Sequence, residues 1–289
     1  MTALVFIDGQ ASHLLPASDR SIQYGDGLFE TMSWSAGQLK RLDKHMSRLR
    51  DGCAVLGIAF EQAKIQQQLE SFLGILAGST ADQQLVVKLI ISRGSGGRGY
   101  TPPDNPASRI IISSHPVPDR LPEYQQTGID CILCNHRLSS NPTLCGIKHL
   151  NRLDQVLGSA EVQRVSGKIN GMSEGLMLDQ QGRVIEGTRS NLFLIRNDEL
   201  MTPNLVNAGV KGIMRQCVLE VANDSNWPVR VTDIYPRDLT TADSAFICNS
   251  IIGIIPLRQL WLSNECSEDS PPVRLGQHNY IRELQSLLA

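Results

Sequence analysis

Apolar residues recur at three- and four-residue intervals through Leu150, Leu153, Val156, Leu157 and Ala160. That is the spacing of a helix with one buried stripe. Asn141-Pro142 signals a turn upstream, so the pattern predicts a helix that begins near Lys148 and runs to Val165. Two further helices are predicted, over Leu42–Leu56, with Leu42, Met46, Leu49, Cys53 and Leu56 on one face, and over Phe60–Leu76. Strands are expected at Leu28–Trp34, Leu85–Ser92 and Ser108–Ser114, the last two pairing. Residues 175–179 and 184–187 flank a Gln-Gln-Gly turn and read as a hairpin, followed by a strand from Ser190 to Ile195. A helix over Met214–Ala222, a short strand at Phe246–Ser250 and a terminal helix over Tyr280–Leu288 complete the set. Strands interleaved with helices define an α/β (α+β) chain. The proline-rich stretch His115–Pro122 is the natural linker. It gives a smaller N-terminal domain over 1–115, a linker over 116–123 and a larger C-terminal domain over 124–289 that carries Lys148.

Composition narrows the function. The chain has 289 residues, 41% of them hydrophobic, and a formal net charge of -2. No basic excess invites nucleic acid, and no apolar run is long enough to span a bilayer. The start, Met1 to Gly9, lacks the features of a signal peptide. Seven scattered cysteines then imply reduced thiols and a cytoplasmic location. Cys131 and Cys134 form a lone CxxC on an expected strand, where residues three apart face opposite sides; no metal site is expected.

Several residues carry candidate chemistry. A lysine at a helix start meets the positive end of the helix dipole. Two readings are open for Lys148: it snorkels to water, or its amine is kept reactive toward carbonyls. Arg48, in His45-Met-Ser-Arg48-Leu49, reads as a solvated helix position or as an anion ligand. The loop Arg93-Gly-Ser-Gly-Gly-Arg98-Gly-Tyr100 reads as a flexible hairpin or as an anion cradle; it lacks the Gly-Lys-Ser/Thr ending of a nucleotide loop. Glu186 ends a strand, and Gly212-Ile213-Met214-Arg215 opens a helix whose free N–H groups can seat a phosphate. Tyr24 is either core or cleft.

Taken in order, His45-x-x-Arg48-Leu49, the Lys148 segment, Glu186 before Ser190-Asn191-Leu192-Phe193, and Gly212-Ile213-Met214-Arg215 resemble the fold type IV pyridoxal-phosphate enzymes. That family includes branched-chain and D-amino-acid aminotransferases and the aminodeoxychorismate lyases. The stretches Ile91–Tyr100 and Gly146–Leu153, with Ile247-Cys248-Asn249, resemble the lyases in particular. The resemblance implies two α/β domains with pyridoxal 5'-phosphate in the cleft between them, and a homodimer. It implies that Lys148 carries the cofactor as a Schiff base and shuttles protons, that Glu186 pairs with the pyridine nitrogen, and that Arg48 binds the phosphate. The N–H groups of Ile213 and Met214, with Asn249 and Ser250, would complete the phosphate seat; Tyr24, Arg93, Arg98 and Arg152 would face the substrate. The implied reaction turns 4-amino-4-deoxychorismate into 4-aminobenzoate and pyruvate, a step toward folate. An aminotransferase of the same fold needs the same lysine, glutamate and phosphate seat, and stands as the alternative.

Overall fold

Along Gly27–Ser35 every second residue from Leu28 to Trp34 is buried and the residues between are half-buried. This is the period-two signature of a strand with one covered face. The computed structural model describes residues 4–80, 83–166, 172–263 and 271–289. The chain divides into two compact units: Met1–Val117 with Ile147–Asn151, and Pro118–Gly146 with Arg152–Ala289.

The first unit contains β1 (Val5–Ile7), β2 (Gln10–Ala11), α1 (Arg20–Tyr24), β3 (Gly27–Ser35), β4 (Gln38–Leu39), α2 (Leu42–Leu56), α3 (Gln62–Thr80), β5 (Leu85–Ser92) and β6 (Arg109–Pro116). Its strands form an antiparallel sheet in the order β2-β1-β6-β5-β3-β4. β5 pairs with β6 as the sequence predicts. Leu28, Met32, Val87, Leu89, Ile110 and Ile112 share the covered face. α2 packs there at Gly52, where a Cβ would strike the Leu28 side chain. Phe72 of α3 meets Phe6 edge-on. The other face carries Phe29, Thr31, Lys88 and Ile90, all half-buried.

The second unit continues with α4 (Leu121–Thr127), β7 (Ile129–Arg137), α5 (Leu153–Ser166), β8 (Met172–Leu178), β9 (Val184–Gly187), β10 (Asn191–Arg196), β11 (Glu199–Pro203), α6 (Ile213–Asp224), β12 (Val229–Thr232), α7 (Pro236–Thr240), β13 (Ser244–Asn249), β14 (Gly253–Trp261), β15 (Val273–Arg274) and α8 (Asn279–Leu287). Its mixed sheet runs β12-β11-β10-β13-β14-β7-β8-β9, with β15 on β14. Cys131 and Cys134 lie in different core clusters, on opposite sides of β7. The stretch expected as a linker ends β6 at Pro116 and starts α4 at Leu121. No helix among the described residues is long and apolar enough to cross a membrane.

Three expectations are corrected here. The helix does not start at Lys148 but at Leu153. Residues 147–151 form neither helix nor strand and meet β3 through the isolated antiparallel bridge of Leu28 and His149: Phe29 N–H donates to Lys148 O at 3.0 Å and Leu150 N–H to Gly27 O at 3.0 Å. Lys148 therefore belongs with the first unit rather than with the C-terminal domain. The buried stripe of α5 is also misplaced. Leu153, Val156 and Leu157 are 75%, 58% and 49% exposed, while Gly158, Glu161 and Val165 are buried. Small Gly158 lets the helix lie close to Met177 and Thr188. Glu161 is drawn in because its carboxylate accepts the N–H groups of Asn135 and His136, each at 2.8 Å.

Candidate active site

In the first unit the stretch Ile147–Asn151, bridged to Leu28 at His149, presents Lys148 over β3. Its Nζ lies 4.5 Å from the centre of the Phe29 ring, and the side chain is half-buried. The helix-dipole argument for a reactive lysine does not apply, since no helix begins at this residue. Partial burial against an aromatic face is the environment actually present.

Arg48 is held from behind by Glu30. Its Nε donates to Glu30 Oε1 at 2.8 Å and its Nη2 to Glu30 Oε2 at 2.5 Å. His45 Nδ1 adds a contact to the same Oε2 at 2.6 Å. Burial alone would raise the Glu30 carboxyl, but the Arg48 charge and the two side-chain hydrogen bonds outweigh it, holding the group below the usual carboxylate range. The Glu30 carboxylate thus fixes the guanidinium by its Nε–Nη2 edge and sets its orientation.

The glycine-rich loop is not an anion cradle. It turns carbonyls inward onto Arg20, whose Nη1 and Nη2 donate to Gly96, Gly99, Thr101 and Tyr100. Arg93 is buried and held by the fold: Nε donates to Asp26 at 2.7 Å, Nη1 to Gly57 O at 2.9 Å and Nη2 to Leu56 O at 2.7 Å. A guanidinium so engaged caps the end of α2, and its geometry argues against the substrate role expected for it. Asp26, despite its partial burial, is kept below its ordinary range by Arg93 and Arg20. Arg98 is exposed in the loop. Tyr24 is half-buried against Tyr100, with Arg20 over its ring at 4.9 Å.

In the second unit Glu186 is buried at the end of the β8–β9 hairpin. Val210 N–H donates to its Oε2 at 2.8 Å and Gln155 Nε2 to its Oε1 at 3.2 Å. Gln155, on α5, was missed in the sequence because it reads as an ordinary polar helix position. The turn after Glu186 is clamped by another buried carboxylate. Glu174 accepts from Thr188 N and Oγ1 at 3.1 and 2.5 Å and from Ser190 Oγ at 2.8 Å.

α6 starts at Ile213, capped by Gly212, which offers no side chain to the first-turn N–H groups of Ile213 and Met214. A side chain at Gly212 would collide with Asn191 Oδ1, so the approach admits only glycine. Asn249 accepts the N–H groups of Ile251 and Ile252 at 2.8 and 2.9 Å, and donates to Arg189 O at 3.0 Å. It shapes the turn that carries half-buried Ser250. Arg152 precedes α5 and is half-buried; it is not one helical turn beyond Lys148, because no helix joins them.

Within the second unit, a buried carboxylate oriented by the donors of Val210 and Gln155 and a glycine-capped helix start are groups suited to a pyridine nitrogen and to the phosphate of pyridoxal phosphate.

The model of the amino-transferase class IV family matches residues 27–260, and the chain belongs to that family. It is 33% identical to an aminodeoxychorismate lyase of Vibrio harveyi, over 88% of this chain and 90% of that protein. The crystal structure of 4-amino-4-deoxychorismate lyase from Pseudomonas aeruginosa superposes with a TM-score of 0.87 at 40% identity, covering 99% of this chain and 98% of that one. The branched-chain aminotransferase of Escherichia coli shares the fold, with a TM-score of 0.83 at 22% identity, covering 99% of this chain and 93% of that one.

Proposed function

We propose that this chain is a pyridoxal-phosphate-dependent lyase that converts 4-amino-4-deoxychorismate to 4-aminobenzoate and pyruvate. The observation that carries this reading is the 40% identity to a 4-amino-4-deoxychorismate lyase over 99% of the chain. When bound, pyridoxal phosphate supplies an electron sink for negative charge on the carbon beside the substrate nitrogen.

The chain's own residues have separable roles in this reading. Lys148 Nζ would hold the cofactor's aldehyde carbon, and its amine would take the proton from the amine-bearing carbon of the substrate and return a proton to the departing fragment. Glu186, supplied with donors by Val210 and Gln155, would keep a proton on the pyridine nitrogen. The first-turn N–H groups of Ile213 and Met214, the Ser250 hydroxyl and Arg48 would hold the phosphate. Loss of pyruvate makes the substrate ring aromatic, so the reaction is downhill and the protein mainly positions groups and moves protons.

A homodimer is part of the reading. Leu153, Val156 and Leu157 give α5 an exposed apolar face, which a second copy would cover. A cytoplasmic location, with the product entering folate synthesis, suits the free thiols of the described cysteines.

The deciding experiment incubates purified protein and pyridoxal phosphate with 4-amino-4-deoxychorismate and no oxo acid. Many turnovers to 4-aminobenzoate are expected. Turnover only when an amino acid and an oxo acid are both supplied would establish an aminotransferase instead.

A further inference from the structure

The buried carboxylate of Glu174, on β8, takes no part in the roles assigned above; the residue is 1% exposed. A buried carboxylate is costly unless hydrogen bonds satisfy it. Four donors do so: Gly175 N–H at 3.0 Å, Thr188 N–H at 3.1 Å, Thr188 Oγ1 at 2.5 Å and Ser190 Oγ at 2.8 Å. Three of these four belong to one short strap, residues 187–190. Arg189 Nε stands 3.7 Å from Glu174 Oε2, but that side chain is 66% exposed, so water screens its charge.

The strap joins the parts of the second unit that the lyase reading gives to the cofactor. It begins directly after Glu186. It runs into Asn191, whose Nδ2 donates to Val210 O at 2.9 Å, while Val210 N–H donates back to Glu186 Oε2 at 2.8 Å. Asn191 Oδ1 also lies against Gly212, the cap of α6, where a Cβ would come within 1.8 Å of it. In the middle of the strap, Arg189 O accepts Asn249 Nδ2 at 3.0 Å, and Asn249 shapes the turn of Ser250. The strap's own backbone stiffens it: Gly187 N–H donates to Ser190 O at 2.7 Å and Thr188 N–H to Gly175 O at 2.9 Å. A shift of the strap therefore moves the Glu186 carboxylate and the phosphate seat relative to each other.

We propose that Glu174 is a positioning residue: through the strap it sets the spacing between Glu186 and the phosphate seat at the start of α6. The assignment rests on the cofactor roles that the lyase reading gives to Glu186, Ile213, Met214 and Ser250. Pyridoxal phosphate is a rigid ring with a short arm, so its nitrogen and its phosphate meet both ends only at one spacing. A ligand that touches one end alone is insensitive to that spacing. The chemistry of the clamp calls for a carboxylate, because all four partners are donors and an amide has one acceptor oxygen. That one oxygen can still serve Gly175 and Thr188, which share Oε1. Glutamine thus preserves most of the clamp, and alanine none of it.

The test titrates the cofactor-free protein with two probes, pyridoxal phosphate and inorganic phosphate, by calorimetry and absorption. In Glu174→Ala, affinity for pyridoxal phosphate is expected to fall about tenfold and the absorption of the bound cofactor to shift, while affinity for inorganic phosphate changes less than about twofold. Glu174→Gln is expected to bring pyridoxal-phosphate affinity back to within about threefold of the unaltered protein. Thr188→Val keeps the side-chain shape and the carboxylate, removes one donor, and serves if Glu174→Ala does not fold. It is expected to lose about threefold for pyridoxal phosphate and nothing for inorganic phosphate. Equal losses for the two probes, or unchanged affinities for both, overturn the assignment and leave Glu174 a support of the fold. The expected binding pattern without turnover of 4-amino-4-deoxychorismate would overturn the lyase reading instead and leave the positioning role standing.

Discussion

Gln155 donates from α5 to the carboxylate of Glu186 at 3.2 Å, opposite the 2.8 Å contact from Val210 N–H. A neutral donor here favours the charged carboxylate without neutralising it. Gln155→Ala is expected to lower affinity for pyridoxal phosphate by roughly fivefold, the worth of about 1 kcal/mol, and to alter the visible absorption of the bound cofactor. Titration of the cofactor-free protein measures both. An unchanged spectrum would show that Val210 alone orients Glu186.

Lys148→Ala is expected to abolish turnover while the variant stays folded, because residues 147–151 join β3 through backbone groups that the substitution leaves intact. Borohydride reduction of the unaltered, cofactor-loaded protein should fix the label on the peptide that contains Lys148. Labelling of another lysine would refute the assignment.

The Glu30 pair makes a pH statement. Its folded pKa lies below the usual glutamate value of about 4.3. The paired carboxylate thus contributes its full stabilisation above that value. The contribution is lost as pH falls through the lower folded value, because the unfolded chain takes up the proton first. Glu30→Gln is expected to cost about 3–5 kcal/mol, to loosen Arg48 and with it the cofactor, and to flatten the acid limb of the stability curve. Thermal melts between neutral and acid pH test the sign.

Arg93→Ala should act on stability. Asp26 loses a charged partner and α2 loses the donors to Leu56 and Gly57. The melting midpoint is expected to fall by roughly 5 °C or more, while KM for the substrate changes by less than about twofold. A large rise in KM with an unchanged midpoint would restore the substrate role that the sequence suggested.

Leu157→Glu places a charge on the exposed face of α5. Light scattering is expected to report a dimer for the unaltered protein and a monomer for the variant. Identical masses for the two would remove α5 from the interface.

Much of the architecture was legible because its signals are local. The period-two pattern of Leu28–Trp34 and the apolar run of Leu85–Ser92 each report their own burial, and both are strands. The helix α6 was legible in the residues themselves, whereas the cofactor roles of Glu186 and of the α6 start are expected through resemblance alone, since neither carries a distinctive spacing. The errors arose where a distant partner overrides local preference. Residues 147–152 satisfy a helical pattern, yet the free edge of β3 offers Lys148 and Leu150 backbone partners. The stripe of α5 is apolar in sequence and exposed in the chain, because sequence does not say which neighbour an apolar face awaits. Arg93 and Arg98 read as a pair of anion ligands, yet the carbonyls of Leu56 and Gly57 and the Asp26 carboxylate hold Arg93.

The excursion of residues 147–151 into the first unit also orders events in time. Leu28 bridges to His149, a partner about 120 residues further along the chain. A growing chain that has emerged only as far as Val117 holds most of the first sheet but not the segment that docks on β3. Closing so long a loop is slow compared with hairpin formation. Lys148 is therefore brought onto its supporting sheet late in folding, after most of that sheet exists. A ribosome-bound fragment would capture no aldehyde through Lys148, and competence for the cofactor would arise with this long-range strand contact.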